Sequence, residues 1–182
     1  MFAINNFNFA DMKPVRYIST FAFFITRIIS IAYLLTTLHL LISVVFKLST
    51  YRLLENNRFV IDYPFSSRPF LIGSQNSPVY IFEMAALIAF YGAFFWLLGN
   101  VFKTFRQQKL FTAKGIKHLR WFYAFNLFIC PIVFLILNMY SIEDYPYAAM
   151  ITAHAIVGIF GFFIAAIFEQ GVHLQNDQDL YI

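Results

Sequence analysis

Four stretches of this sequence are each long and apolar enough to cross a bilayer, and that leaves few folds open to it. A hydrocarbon core about 30 Å thick takes roughly 20 apolar residues of helix. The stretches are 21–47, 80–102, 119–140 and 148–168. Inside lipid each backbone N–H and C=O needs a partner within the protein, so segments of this kind are helical. The composition agrees, with 60% hydrophobic, 21% aromatic and 12% charged residues and a mean hydropathy of +0.68. An ordinary soluble domain carries about twice that share of charge. The expected fold class is an all-α membrane protein with four antiparallel transmembrane helices, forming one integral membrane domain over residues 1–182. The 182 residues leave no room for a separate soluble domain of typical size. The single cysteine, Cys130, excludes an intramolecular disulfide.

The scarce charges are sorted by side. The connector between the second and third stretches carries Lys103, Arg106, Lys109, Lys114, Lys117 and Arg120 and no acid. By the positive-inside rule this loop is expected in the cytoplasm, with the protein in the cell inner membrane and both termini cytoplasmic. Lys13 and Arg16 then join it, while Lys47, Arg52, Arg58 and Arg68 lie outside. Counting Asp11, Glu169, Asp177 and Asp179 inside, and Glu55, Asp62, Glu83, Glu143 and Asp144 outside, the inner side is net positive and the outer side slightly negative. The polar, Asn-rich residues 1–16 do not read as a signal peptide, and Pro14 is expected near the start of the first helix.

The outer connector, 48–79, is the longest. Two β-rich runs, 58–63 and 68–73, flank Pro64-Phe65-Ser66-Ser67 and predict a small outer hairpin. The short turn 141–147 predicts that the third and fourth helices are antiparallel neighbours. Thr112 is expected to cap a helix that runs into the third span, with Gly115 weakening its first turn.

Polar residues inside the spans are the candidates for chemistry. In the fourth span His154, Gly158, Gly161 and Ala165 share one helical face, beside Ala149 and Ala153. Small residues of this kind let helices approach closely in lipid, and His154 would hydrogen-bond across the interface. In the first span Ala32, Thr36, His39 and Ser43 form a matching stripe. His39 and His154 lie at similar depth, roughly 12 and 9 Å from the outer ends of their helices. Facing histidines in a four-helix bundle could ligate haem b; a plain hydrogen-bonded interface is the alternative. There is no cysteine cluster or His-x-x-x-His pair to suggest another metal. Arg27, deep in the first span, would either snorkel to the interface or pair with Glu169. Glu83 is expected at the interface, and Asn126, Cys130 and Pro131 predict a kink in the third span.

No phosphate loop, nucleophile elbow or zinc-protease motif is present, so no catalytic residue is expected. Asp177 and Asp179 lack the further ligands and glycine of an EF-hand. A short basic loop beside lipid suits anionic lipid or a protein partner better than direct nucleic-acid binding.

Two cytoplasmic segments carry a likeness. The run Gln108-Lys109-Leu110-Phe111-Thr112, followed by Leu119-Arg120, and the tail pattern Glu169-x-Gly171-x-x-Leu174-x-x-Asp177-x-Asp179-Leu180 resemble a bacterial family of small four-span membrane proteins classed as a domain of unknown function. The family's final Leu-Thr-Val is Leu180-Tyr181-Ile182 here, and Arg27, His39 and His154 match no family position. Genes of that family often lie beside one for a small helix-turn-helix regulator. The resemblance therefore implies a membrane partner for such a regulator, with Lys109, Phe111, Thr112, Glu169, Gly171, Asp177 and Asp179 as candidate contacts. A non-enzymatic regulatory protein is the first expectation. A haem-binding redox subunit using His39 and His154 is the second. A small-solute transport component, motivated by Thr36, His39, Asn126 and His154, is the third.

Overall fold

The computed structural model describes residues 13–141 and 143–179, and within the last helix the side chains through residue 177. Asp11 and the terminal Leu180-Tyr181-Ile182 lie outside the described residues, as does the side chain of Asp179. The protein is an all-α, multi-pass membrane protein. Helix α1 is Lys13–Val45, α2 is Pro78–Phe105, and the last helix, α5, is Tyr147–Asp179. The third span is built of α3, Ala113–Ala124, one π-helical turn over Phe125–Ile129, and α4, Cys130–Tyr140. Each of the four spans has the length and hydropathy to cross a bilayer.

Local chemistry sets the helix boundaries. Ser77 caps α2 by accepting from the Tyr80 amide at 3.2 Å, and Pro78 occupies the first turn, where no N–H is needed. Thr112 caps α3 as expected, accepting from the Gly115 amide at 3.1 Å. Pro131 has no N–H to give its own helix, and the expected kink takes the form of the π-turn, in which the Cys130 amide reaches back five residues to the Phe125 carbonyl.

The connector after α1 forms a three-stranded antiparallel sheet in the order β1 (Tyr51–Leu53), β2 (Phe59–Asp62), β3 (Pro69–Gly73). The β2–β3 pair is the expected hairpin; β1 is an additional strand, with Tyr51 opposite Ile61 and Leu53 opposite Phe59. Phe59 and Ile61 are fully buried against Leu40 of α1 and Tyr80, Ile81 and Ala85 of α2, so the sheet is packed onto the helix ends. We call this the sheet end, and the opposite end, with the 106–112 connector, the basic end.

Helix α2 lies at the centre. It supplies residues to all three buried clusters: the sheet-end cluster, a middle one around Phe90, Cys130 and Phe134, and a basic-end one around Val101, Leu119 and Phe168. α1 packs mainly on α2, and α5 packs on the third span. The buried residues of α1 are Ser19, Thr26, Ser30, Leu40 and Ser43. That face is rotated from the expected Ala32–Thr36–His39–Ser43 stripe, and Ala32 is exposed. Ser30 Oγ donates to the Gly92 carbonyl at 2.7 Å, a close approach that small residues on both helices permit. Phe21, Ile28, Leu35, Phe128, Phe160 and Phe163 are exposed, which is the expected arrangement for surfaces facing acyl chains.

Candidate functional site

Polar chemistry concentrates in three places along the bundle. At the sheet end, Arg52 of β1 grips Asp62 of β2 through two hydrogen bonds of 2.6 and 2.7 Å. The guanidinium holds the Asp62 carboxyl below the usual carboxylate range, outweighing burial, which acts the other way. The Asp62 carbonyl accepts from His39 Nε2 at 2.9 Å. A carbonyl can only accept, so that ring nitrogen carries the proton, and Nδ1 faces Ser43 Oγ at 3.5 Å. His39 thus anchors the sheet to α1.

In the middle, the predicted stripe on α5 is the packing face: His154, Gly158, Gly161 and Ala165 are all buried, whereas Ala149 and Ala153 are exposed. A Cβ on Gly158 would lie 2.7 Å from the Leu127 side chain and 3.1 Å from Asn126 Cβ, so only glycine lets α5 come this near the π-turn. Across that contact Asn126, fully buried, meets His154 at 2.7 Å. Asn126 Nδ2 donates to the Phe122 carbonyl at 2.7 Å, which leaves Oδ1 facing the imidazole. An amide oxygen accepts, so His154 Nδ1 is the donor. Phe90, Tyr91, Phe94 and Phe134 surround the ring. His39 is engaged by the sheet and His154 by Asn126 and these four rings, and the two histidines share no neighbour among these contacts. Among the described residues no group of three or more His, Cys, Asp or Glu side chains could hold a metal ion.

Glu83 lies near the sheet end of α2, as expected, but turned into the protein. It is only 3% exposed, the Tyr147 hydroxyl donates to its Oε1, and its Oε2 has no partner. Sequence spacing gave no signal for this pairing, because Glu83 and Tyr147 belong to helices far apart in the chain.

At the basic end, the segments 108–112 and 169–171 come together. The Phe111 ring lies edge-on to Phe168 at 5.2 Å and covers Gly171, where a Cβ would sit 2.4 Å from the ring. Thr112 caps α3 directly behind it. Glu169 accepts from Arg120 at 2.8 and 3.0 Å. Of the two readings for Arg27, the pair with Glu169 is therefore not formed. Arg27 stacks instead on Trp96, its Cζ 3.6 Å from the ring centroid, and donates to Asn100 Oδ1 at 2.9 Å. The physical reason is reach: α1 packs on α2, which offers an aromatic face and an amide, while Glu169 sits on α5 beside α3. The connector is tied to α1 by Arg16, which donates to the Gln108 carbonyl at 3.0 Å, and by Arg106, stacked 4.7 Å from the Phe23 centroid. Lys109 is exposed. Beyond Phe168 the helix α5 continues through Asp179, with Leu174 64% exposed and Asp177 exposed.

Comparison with known proteins found no matching family model, no matching curated protein and no matching solved structure.

Trp96, Asn100 and His118 also belong to the basic end and were not among the candidates above. Their signal was present as helical spacing. Trp96, Asn100 and Lys103 recur at i, i+4 and i+7 on α2, and Lys114, Lys117, His118 and Trp121 at i, i+3, i+4 and i+7 on α3.

Proposed function

We propose that this chain is a non-enzymatic regulatory membrane protein of a bacterial inner membrane, whose basic end faces the cytoplasm and engages a cytoplasmic protein. The partner implied by the resemblance is a small helix-turn-helix regulator. One observation carries the reading: the two segments that bear the resemblance, distant in sequence, are joined into one surface by Phe111 on Gly171 and backed by the Arg120–Glu169 pair. From that surface α5 extends about 16 Å beyond Phe168 as helix and presents Leu174 and Asp177 to solvent. A helix with exposed apolar and acidic side chains suits a groove or a basic face on a partner. Helix-turn-helix domains carry a basic DNA-contacting face, and a regulator held there is withdrawn from DNA. The orientation rests on the cationic connector.

The test is co-expression with a small helix-turn-helix regulator of the kind the resemblance implies, followed by purification through a tag on the membrane protein. Co-purification that weakens in an Asp177→Asn/Asp179→Asn variant is expected. A regulator that fails to co-purify, or one retained after removal of 172–182, contradicts the assigned surface.

A further inference from the structure

Two buried side-chain nitrogens at the basic end have no hydrogen-bond partner: Arg27 Nη1, a guanidinium donor, and His118 Nε2 of the imidazole. A buried donor left unpaired is costly, and more so in lipid, where water cannot serve it. Gly115 of α3 lies against Thr104 of α2, and Arg27 of α1 donates to Asn100 of α2, so α1, α2 and α3 bring Arg27, Lys103 and His118 to one level of the bundle, where the charges of Lys114 and Lys117 also reach His118. Among the described residues the ion pairs are Arg52–Asp62 and Arg120–Glu169, so no carboxylate neutralises this cluster. The neutral Asn100 serves only the other Arg27 nitrogen.

A groove of about 480 Å³ begins beside this cluster and runs toward the membrane centre, lined by Leu34, Trp96, Leu97, Trp121, Phe125 and Ile129. Its wall is almost wholly apolar, and it opens laterally, with Trp96 44% and Trp121 59% exposed. Trp96 joins the two parts, since the ring that lines the groove also carries the Arg27 guanidinium on its face. From Trp121 to Ile129 the groove covers about 12 Å of helix, the length of a substantial part of an acyl chain.

We propose that this site binds an anionic phospholipid, its phosphate held by Arg27, His118 and the three lysines and one acyl chain lying in the tryptophan-lined groove. A phosphate offers an acceptor to Arg27 Nη1 and another to His118 in its neutral Nε2–H tautomer, and it balances basic side chains with no acid of their own. The apolar groove continuous with the cluster selects a lipid over free phosphate. Lysines beside a membrane surface draw anionic lipid in general; the buried pair is what makes this a site.

Trp96 and Trp121 are the only two tryptophans of the chain, so tryptophan fluorescence reports the groove directly. The full chain is reconstituted in phosphatidylcholine nanodiscs, and phosphatidylglycerol or phosphatidylcholine with brominated acyl chains is titrated as quencher. Phosphatidylglycerol is expected to quench at about a tenfold or lower mole fraction than phosphatidylcholine. The exposed pair Lys114→Gln/Lys117→Gln, which leaves the helix packing untouched, is expected to reduce that preference about fivefold or more. Arg27→Gln/His118→Gln is expected to abolish it while the lysines remain. Equal quenching by the two lipids overturns the proposal, as does a preference unaffected by either double substitution. Reversal of phosphatidylglycerol quenching by inorganic phosphate alone overturns the assignment to a lipid.

Discussion

Replacing Asn126 by leucine is the most informative single perturbation of the bundle. Leucine keeps the branched outline and heavy-atom count of asparagine while both side-chain hydrogen bonds disappear; its bulkier methyl groups also alter packing beside Gly158, and a double-mutant cycle separates the two effects. The Phe122 carbonyl keeps an acceptor role toward the Phe125 amide. His154 Nδ1–H is left with nothing, in a pocket walled by four aromatic rings where the residue is 7% exposed. Stranding one buried donor costs about 1–3 kcal/mol. Hydrogen bonds between membrane helices average about 0.6 kcal/mol in double-mutant cycles and reach about 1.7, because the unfolded chain in lipid also finds partners. The 2.7 Å bond between two buried groups belongs in the upper part of that range. A cycle of Asn126→Leu, His154→Leu and the double variant, followed by denaturant unfolding in bicelles, should give a coupling of about 1–1.7 kcal/mol. A coupling indistinguishable from zero would falsify the Asn126–His154 bond and with it the donor role of Nδ1.

Three further outcomes are expected. Asp62 has a folded pKa below its unfolded one, so the Arg52–Asp62 pair stabilises the sheet fully above about pH 4 and loses that effect as pH falls through the folded value; the protection of β2 amides relative to their intrinsic exchange rate at each pH should fall on acidification, and Asp62→Asn should remove that dependence. Gly171→Leu places a side chain where Phe111 lies, and the displaced connector should be cut by trypsin at Arg106 and Lys109 about tenfold faster, equivalent to roughly 1.4 kcal/mol of lost docking. Glu83→Leu strands the Tyr147 hydroxyl and should lower stability in detergent by about 1–3 kcal/mol, whereas Glu83→Gln keeps an acceptor and should cost less.

Much of the fold was legible because lipid makes the rules strict. Span number and the glycine–histidine face of α5 followed from hydropathy and helical period, and the Thr112 cap from residue type. The β2–β3 hairpin followed from β-rich runs around a Pro-Ser turn. β1 was not legible: three residues carry no alternation, and the strand is held by Arg52 on Asp62, a pairing between segments. The packing face of α1 was misread because Thr36 and Thr26 look alike in sequence, and only contact with Gly92 and Gly99 on α2 decides which hydroxyls are covered. The partners of Arg27 and Glu83 were not legible, for one shared reason. Their partners, Asn100 with Trp96 and Tyr147, depend on which helices are neighbours, and helix adjacency is not written in the period of any single span.

The proposed role of the basic end as a docking surface is tested most directly with a purified small helix-turn-helix regulator of the kind the resemblance implies and the full chain in nanodiscs. Binding is measured by fluorescence anisotropy of the labelled regulator, for the intact protein and for one ending at residue 171. The proposal predicts saturable binding to the intact chain, weakened at high salt and lost on truncation. Equal binding to both forms, or to empty nanodiscs of the same lipid, contradicts it.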